Sequence, residues 1–476
     1  MQQFKFKTSG KTRKEHDLIG DKEVPVEALF GVQTLRAIEN FNISNNKLYD
    51  YPEIIKGFGY VKKGAAEANY ELGLMSSEVK EAICRACDEL IEGKHLEHFP
   101  VDMIQGGAGT SMNMNANEVI ANRALELLGK QHGDYKVVHP NDHVNMAQST
   151  NDAYPVAMHF GMYLIHQQLM VSLYDLIVAL ENKAKEFRSV IKMGRTQLQD
   201  AVPMTLYQSF HAFATALKNE AKKLDTASKG FLVINMGATA IGTGITSEPG
   251  YAKLCTAFIK NDTGWDVTLA PDLVEATNDT SCMTTYHSVL KELAIRVSKM
   301  CNDLRLMSSG PRTGLAEINL PPKQPGSSIM PGKVNPVIPE VMNQICFKVF
   351  GNDTAITFAS EAAQLELNVM EPVLVESLIE SQRWMTAGFD TLRVECIEGI
   401  TANKAHCREL VENSIGIVTA LKPYIGYSNC TDVAKEALET GGSVYKLVLK
   451  KKLLTKAQLD TILNPKNMIK PVKLEL

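Results

Sequence analysis

Three long windows of the sequence contain neither proline nor glycine: residues 162–193, 204–229 and 272–309. Because these two residue types interrupt helices most strongly, the windows predict helices longer than the average globular helix. Apolar residues in the third window recur at alternating spacings of three and four, as on the buried face of a bundle helix. They are Met283, Tyr286, Leu290, Leu293, Val297, Met300, Leu304 and Met307. The sequence therefore predicts a mainly α fold with a central bundle of long helices.

The spacing of glycine and proline divides the chain into three predicted domains. Residues 1–145 mix short helices with turns, residues 146–400 contain the long windows, and residues 401–476 contain shorter helical pieces. A chain of 476 residues also has the length expected of about three domains. Since long helices leave exposed stripes that other subunits can cover, we expect an oligomer.

Composition excludes several classes of function. The net charge is −4 and no long run of like charges occurs, so binding to nucleic acid is not expected. No apolar segment follows the basic N-terminus, and the weakly charged residues 231–247 are interrupted by asparagine and glycine, so neither a secretory signal nor a membrane span is predicted. The nine scattered cysteines favour reduced thiols in the cytoplasm, with Cys84 and Cys87 packed in a core rather than binding metal.

Four segments concentrate neutral hydroxyl and amide side chains. They are residues 105–117, 147–152, 194–200 and 326–336. The first three are predicted to lie at the start or end of a helix, and Ser149 and Thr150 ahead of Pro155 are typical of a helix N-terminus. Helix capping explains any one segment, but helix N-termini also receive anions. The four segments, together with Lys333, therefore indicate a site for a small anionic ligand.

Residues 326–336, here called the serine loop, read Gly-Ser-Ser-Ile-Met-Pro-Gly-Lys-Val-Asn-Pro. Two glycines and two prolines predict a shaped loop rather than a helix or strand. The loop is not a phosphate-binding loop, because Val334 occupies the position where that motif has Ser or Thr. We expect the loop to close over a bound ligand and exclude water, and a rigid turn is the alternative.

These segments resemble the signature regions of the aspartase/fumarase superfamily, whose loop reads Gly-Ser-Ser-x-Met-Pro-x-Lys-x-Asn. The resembling regions cover nearly the whole chain in the expected order and are residues 107–118, 139–155, 194–205 and 326–340. Residues 148–155, 194–203 and 350–354 are more similar to bacterial aspartate ammonia-lyases than to class II fumarases. The resemblance implies a three-domain helical fold, reversible conversion of L-aspartate into fumarate and ammonia, and a homotetramer with each active site shared by three subunits.

The resemblance also implies roles for residues of the second half of the chain. Ser327 corresponds to the base that removes a proton from Cβ, and Ser328 contacts a carboxylate beside it. Lys333 and Asn335, together with Thr196, correspond to the residues that hold the α-carboxylate. A serine is a poor base unless a nearby cation or backbone donors stabilise its ionised form, and the sequence leaves open how Ser327 loses its proton.

The remaining residues implied by the resemblance lie in the first half of the chain. Thr110, Ser149 and Thr150 correspond to residues around the β-carboxylate, and Asn151 to a residue that reaches the amino group. Proton removal beside a carboxylate places two negative charges on that carboxylate. Catalysis therefore requires hydrogen-bond donors that bind this intermediate better than the substrate.

The resemblance also places Gln197 among the substrate-binding residues, and this residue favours ammonia over water as the leaving group. Fumarases of the superfamily carry a histidine there, usually paired with a glutamate at the position of Glu340. Glutamine cannot supply the proton that departing hydroxide needs, whereas ammonium leaves as neutral ammonia. A class II fumarate hydratase, another fumarate-releasing lyase and a silent scaffold stay open as alternatives. Glu340 has a catalytic or a helix-start role, and Tyr207 and Ser209 replace the usual glycine and glutamate.

The implied ligand is a small dicarboxylate. The resemblance implies no required cofactor, and it leaves activation by a divalent metal open.

Overall fold

The computed structural model describes residues 4–468 and 471–472 and is mainly helical, which confirms the predicted fold class. The helices are α1 (Val32–Asn40), α2 (Pro52–Glu71), α3 (Ser77–Ile91), α4 (Thr110–Leu127), α5 (Thr150–Glu186), α6 (Leu206–Ser228), α7 (Tyr251–Thr263), α8 (Leu273–Asn278), α9 (Ser281–Met307), α10 (Val337–Glu361), α11 (Glu371–Glu395), α12 (Lys404–Asn413), α13 (Val418–Thr440), α14 (Val444–Lys450), α15 (Lys456–Ile462) and α16 (Pro465–Met468).

Short strands form four two-stranded pairs within the described residues. The strands are β1 (Thr12–Asp17), β2 (Gly20–Pro25), β3 (Ile191–Thr196), β4 (Gln199–Thr205), β5 (Val233–Ile234), β6 (Thr268–Leu269), β7 (Ile318–Asn319) and β8 (Thr401–Ala402). β5 and β6 pair in parallel, and the other three pairs are antiparallel.

The predicted long helices are present as α5, α6 and α9. Every residue of the predicted seam in α9 is buried, from Met283 to Met307, so the three-four periodicity marks a packed face as expected. Among the described helices, α5 alone is long and apolar enough to span a membrane by length and composition. Its packing against other helices accounts for that composition.

The chain divides into two compact units, and five long helices (α5, α6, α9, α10 and α11) contribute residues to both. Unit 1 comprises Met1–Met170, Lys222–Glu292 and Lys348–Trp384. Unit 2 comprises Val171–Ala221, Leu293–Phe347 and Met385–Leu476. The predicted division into three domains stays a prediction.

Unit 1 is built around α2, which packs against α3, α4 and α7. A Cβ added to Gly57 would lie 2.3 Å from the Ala157 carbonyl oxygen, and one added to Gly64 would lie 2.5 Å from Cγ1 of Ile259. Only glycine permits such close approach of α2 to α5 and α7. The middle of α2, including Lys62, is consequently shut off from solvent.

Buried polar contacts hold the long helices together within unit 1. The Tyr286 hydroxyl on α9 lies 3.0 Å from Nε2 of Gln382 on α11 and 3.0 Å from Nδ1 of His166 on α5. Nδ1 of His287 on α9 lies 3.0 Å from the carboxylate of Asp353 on α10. The four helices therefore form a bundle in this unit, as the sequence predicts.

Unit 2 contains its own contacts between long helices and a C-terminal core. Ser172 on α5 donates to Asp390 on α11 at 3.0 Å, and Asn343 on α10 donates to the Ser298 hydroxyl on α9 at 2.9 Å. Apolar residues of α13, α14 and α15 form a cluster that includes Ile191 and Met193 of β3. The β3–β4 pair is therefore anchored on the C-terminal helices.

Candidate active site

Thr110 is the first residue of α4, at the N-terminus that the sequence predicts. The preceding Gly109 has a φ of 86°, and a Cβ there would lie 2.4 Å from the ring of Tyr154 on α5. Glycine is required for both reasons, and the contact brings the start of α4 beside the start of α5. The Thr110 hydroxyl is exposed and donates to the Gly107 carbonyl oxygen at 2.8 Å.

Ser149, Thr150 and Asn151 form the start of α5. The Ser149 hydroxyl accepts the Asn151 backbone N–H at 3.2 Å, so the predicted helix-cap role is correct. The Asn151 side chain donates to the Ala240 carbonyl oxygen at 2.8 Å. Asp152 accepts the Ser149 N–H at 2.9 Å, and burial raises the pKa of its carboxyl to about 6.

Four hydrogen-bonded side chains adjoin these helix starts and are here called the amide cluster: Lys62 and Asn113, which are buried, and Asn145 and Gln148, which are half-buried. Nζ of Lys62 donates to side-chain oxygens of Asn113, Gln148 and Asn145 at 2.7, 2.8 and 3.0 Å. Nδ2 of Asn113 lies 3.2 Å from Oγ1 of Thr150. The cluster therefore joins α2, α4 and the segment that leads into α5.

The amide cluster is not predicted from the sequence. Asn113 and Gln148 belong to the polar segments 105–117 and 147–152, but no sequence feature marks Lys62, because a lysine within a helix is usually solvated.

Thr196 and Gln197 lie at a β-hairpin, and the prediction that residues 194–200 begin or end a helix is wrong. β3 ends at Thr196 and β4 begins at Gln199, with a two-residue turn of Gln197 and Leu198 at φ values of 56° and 61°. Hairpin turns of this kind usually contain glycine or asparagine, and this one contains neither. The turn therefore could not be predicted from its residues.

A buried carboxylate fixes the base of this hairpin. Glu317 is fully buried and lies 2.6 Å from Nη1 of Arg195 and 3.1 Å from Nζ of Lys192. At the other strand, Ser414 donates to Asp200 at 2.7 Å. A buried carboxylate with two cationic partners holds β3 in place, so the exposed turn is carried on a firmly anchored support.

The serine loop is irregular from residue 326 to residue 336, as predicted, and α10 begins immediately after it at Val337. The Ser327 hydroxyl oxygen accepts the backbone N–H groups of Ile329 at 3.2 Å and Met330 at 3.0 Å. Two such donors stabilise negative charge on that oxygen. The structure thus supplies backbone donors of the kind that ionisation of Ser327 requires.

The ends of the serine loop are bonded to each other. The Gly326 N–H donates to the Lys333 carbonyl oxygen at 2.7 Å, and the Asn335 side chain donates to the Gly326 carbonyl oxygen at 2.7 Å. Ser327 and Lys333 line the same surface pocket, and Lys333 and Ser328 are exposed. Glu340 is half-buried in the first turn of α10, a position that favours a negative charge.

The candidate residues thus fall into three groups within single units. Thr110, Ser149, Thr150 and Asn151 belong to unit 1, where the amide cluster connects them. The hairpin residues Thr196 and Gln197 belong to unit 2, as does the serine loop. Among the described residues, no group of three or more His, Cys, Asp or Glu side chains is arranged to hold a metal ion.

A model of the lyase family matches residues 20–351, which is more than half of the chain, and a model of the fumarase C C-terminus matches residues 417–470. The chain belongs to the lyase family. The resemblance to the aspartase/fumarase superfamily that the sequence motifs carry is confirmed.

Relatives of this lyase are similar over nearly their whole length. Proteins named aspartate ammonia-lyase from Pseudomonas canavaninivorans, Helicobacter pylori and Escherichia coli are 55%, 54% and 53% identical to it. These alignments cover 96–97% of the lyase and 97–98% of the relatives. Relatives with this name favour the deaminating function over the hydratase alternative.

Solved structures share the helical fold of this lyase. A fumarate lyase:delta crystallin from Brucella melitensis bound to cobalt has a TM-score of 0.94 and 47% sequence identity, covering 97% of this chain and all of its own. A class II fumarase from Schistosoma mansoni has a TM-score of 0.90 and 32% identity, covering 96% of this chain and 99% of its own. The predicted aspartase/fumarase fold is therefore confirmed.

Proposed function

We propose that the chain is an aspartate ammonia-lyase that converts L-aspartate reversibly into fumarate and ammonia. The observation that carries this proposal is the serine loop, where two backbone N–H groups hold the Ser327 oxygen and Lys333 lines the same pocket. A base and a cation on one short loop suit proton removal beside a carboxylate. The names of the relatives support aspartate as the substrate.

The proposed reaction begins at the Ser327 oxygen in its ionised form. This alkoxide removes a proton from Cβ of aspartate, and the electron pair left on Cβ is delocalised into the β-carboxylate, which then carries two negative charges. The electron pair then moves back from the β-carboxylate and forms the Cα–Cβ double bond. The Cα–N bond breaks, its electron pair leaves with ammonia, and fumarate remains. The Ile329 and Met330 N–H groups stabilise the alkoxide before the proton is taken.

The α-carboxylate is assigned to Lys333 and Asn335 together with Thr196, and Ser328 contacts a carboxylate beside the base. An asparagine amide carries two N–H donors, and Asn335 uses one on the Gly326 carbonyl oxygen, so the other can bind substrate. Lys333 forms no ion pair within the described part of the chain, and its charge is available for an anion.

The β-carboxylate is assigned to Thr110, Ser149 and Thr150 at the starts of α4 and α5. Helix N-termini add a partial positive charge there without a counter-charge that would have to be displaced. Asn151 is assigned to the amino group through its side-chain oxygen, since its amide N–H already donates to Ala240. Hydroxyl donors suit a carboxylate that gains charge during the reaction, and the Thr110 hydroxyl, which donates to Gly107, must turn from that carbonyl oxygen to act as one.

Gln197 supports ammonia as the leaving group. Its side chain projects from an exposed hairpin turn and cannot titrate, so it cannot protonate a departing hydroxide. The fumarate hydratase alternative lacks the proton donor that dehydration needs at this position.

The proposed active form is a homotetramer whose sites each combine residues of three subunits. Large apolar side chains remain exposed on the bundle helices, among them Val171, Tyr174, Phe347, Phe358 and Trp384. Exposed apolar stripes on long helices are typical of subunit interfaces. Light scattering on the purified protein should give four times the chain mass, and a stable monomer with full activity would contradict the shared site.

The reaction as proposed uses only side chains and backbone groups of the protein, in the cytoplasm, with no cofactor. Activity after prolonged treatment with a chelator tests this, and recovery on adding a divalent ion would reveal the activation that the sequence left open.

A substrate panel tests the function itself. We expect fumarate, followed by its ultraviolet absorbance, to form from L-aspartate but not from L-malate. Fumarate from malate alone would support the hydratase, fumarate from an N-substituted aspartate alone would support another lyase, and no turnover of any of these would revive the silent scaffold.

A further inference from the structure

Lys62 carries a charge in an unusual place. It lies fully buried in the middle of α2, where burial lowers the pKa of its ammonium to about 7. Its three hydrogen-bond acceptors are neutral amide oxygens, of Asn113, Asn145 and Gln148. The buried Asp152 carboxylate raises the pKa of Lys62, but burial outweighs it, so burying the ammonium costs free energy that a methionine of similar length would avoid. A role beyond packing is therefore expected.

The ammonium group fixes the direction of the hydrogen bonds around it. A protonated Lys62 only donates hydrogen bonds, so in that form the oxygen of the Asn113 amide faces Lys62, as the 2.7 Å contact shows. The nitrogen of that amide then faces the other way and donates to the Thr150 hydroxyl oxygen at 3.2 Å and to Asn145 at 3.2 Å. Lys62 thereby determines which side of Asn113 meets Thr150.

The direction of these successive hydrogen bonds determines whether the Thr150 hydroxyl can donate to a ligand. Because its oxygen accepts a hydrogen bond from the Asn113 amide, its own O–H is directed away from Asn113 and can donate. Thr110 differs, since its hydroxyl donates to the Gly107 carbonyl oxygen. Successive hydrogen bonds that start at a cation also polarise one another, which makes the last donor stronger.

We propose that Lys62 is a positioning residue that, through Asn113, makes the Thr150 hydroxyl a dedicated donor to the substrate's carboxylate. This inference rests on the proposed function, because it requires Thr150 to contact a dicarboxylate. Lys62 itself does not contact the substrate. Its effect reaches the ligand through one amide and one hydroxyl.

The test compares binding of succinate, a dicarboxylate without an amino group to lose, by calorimetry to the full chain and its variants. Lys62→Met and Thr150→Val should each weaken succinate binding roughly tenfold, the loss expected for one hydrogen bond to a charged group. The double variant should bind no more weakly than Thr150→Val, because both changes remove the same donor. Independent losses that multiply in the double variant would overturn the inference.

Asn113→Asp separates the proposed role from simple structural support. The new carboxylate would pair with buried Lys62, so the melting temperature should not fall. It would, however, accept a hydrogen bond from the Thr150 hydroxyl instead of donating one to it. Succinate binding should therefore weaken roughly tenfold in the wild-type background and much less in the Thr150→Val background. Equal weakening in both backgrounds would indicate charge repulsion and overturn the inference. This variant remains informative if Lys62→Met fails to fold.

Turnover of aspartate by the wild-type protein tests the proposed function separately from the role of Lys62. Wild-type protein that forms no fumarate from aspartate would overturn the function, whereas normal turnover with unchanged succinate binding in Lys62→Met would overturn only the role of Lys62.

Discussion

The starts of α4 and α5 and the serine loop carry similar hydroxyl side chains on very different supports. Thr110 and Thr150 begin long helices, and Thr150 accepts a hydrogen bond from the amide cluster around buried Lys62. Ser327 lies on an exposed irregular segment whose hydrogen bonds, from Gly326 and Asn335, close within the loop itself. Under the proposed function, the donors assigned to the substrate are fixed by the packing of two helices, whereas the proposed base lies on a loop held only by its own hydrogen bonds.

Replacing the proposed base should give the largest effect on kcat. The change should affect the serine loop and leave the helix starts as they are. Ser327→Ala should lower kcat by about three orders of magnitude, because it removes the proton acceptor. Succinate affinity and the melting temperature should stay close to those of the wild type, since the hydroxyl bonds only within its loop. Stopped assays of fumarate formation measure this.

Ser328→Ala is the comparison variant, because this exposed hydroxyl is assigned to a substrate carboxylate rather than to the base, so KM should rise while kcat falls far less than in Ser327→Ala. A loss of kcat as large as that of Ser327→Ala would show that the two serines have been assigned the wrong way round.

Lys333→Ala should give the second largest effect, on binding. Loss of a charge-assisted hydrogen bond costs about 1.5–3 kcal/mol, which is a roughly ten- to hundredfold increase in KM for aspartate. Lys333→Arg keeps the charge with a different shape and should lose less. Unchanged KM in the alanine variant would remove Lys333 from the carboxylate site.

The two glycines of the serine loop should respond differently. A Cβ on Gly326 would lie 2.6 Å from the Lys333 carbonyl oxygen and 2.8 Å from the Asn335 nitrogen, so Gly326→Ala should force the loop apart and lower kcat about tenfold. Gly332 has a φ of 81° with open space around its Cβ position, so Gly332→Ala should cost only about 1 kcal/mol of backbone strain. Equal effects would mean that the loop does not need its closed ends.

The last prediction concerns the stability of unit 1 rather than activity, and its expected effect on turnover is the smallest. Burial raises the pKa of Glu371 to about 8, well above its usual range. Between pH ~4.5 and ~8 the unfolded chain releases this proton while the folded chain keeps it, so wild-type stability falls as pH rises. Glu371→Gln should remove that loss. Its free energy of unfolding minus that of the wild type should therefore be roughly 1–3 kcal/mol larger at pH ~8 than at pH ~5.

Thermal melting at the two pH values measures this gain, and Glu366→Gln, at an exposed position, is the control. The same pH dependence in wild type and Glu371→Gln would show that the carboxyl is not buried in the folded protein.

Sequence reasoning succeeded where physical periodicity or a distinctive motif was available. The three-four spacing from Met283 to Met307 predicted the buried face of α9, and the glycines and prolines of the serine loop predicted its irregular backbone. The hydroxyls of Ser149 and Thr150 predicted the start of α5, because helix caps use few residue types.

What the sequence missed depends on contacts between distant segments. The turn at Gln197 and Leu198 adopts a left-handed backbone without glycine or asparagine, because Glu317 and Ser414 hold the strands beside it. Burial of Lys62 follows from the close packing of α2, which no local pattern encodes. The two N–H groups at Ser327 depend on the exact path of the loop backbone.

The aromatic ring that stands where a side chain at position 109 would be has a practical consequence for protein engineering. Any substitution of Gly109 must both strain the backbone and displace Tyr154. We therefore expect no functional variants at this position when variants are selected for new substrates. Leu198, whose side chain is 69% exposed at the tip of the hairpin, has no such constraint from its neighbours. Libraries aimed at altered specificity should therefore diversify the hairpin tip and leave the junction of the two helix starts unchanged.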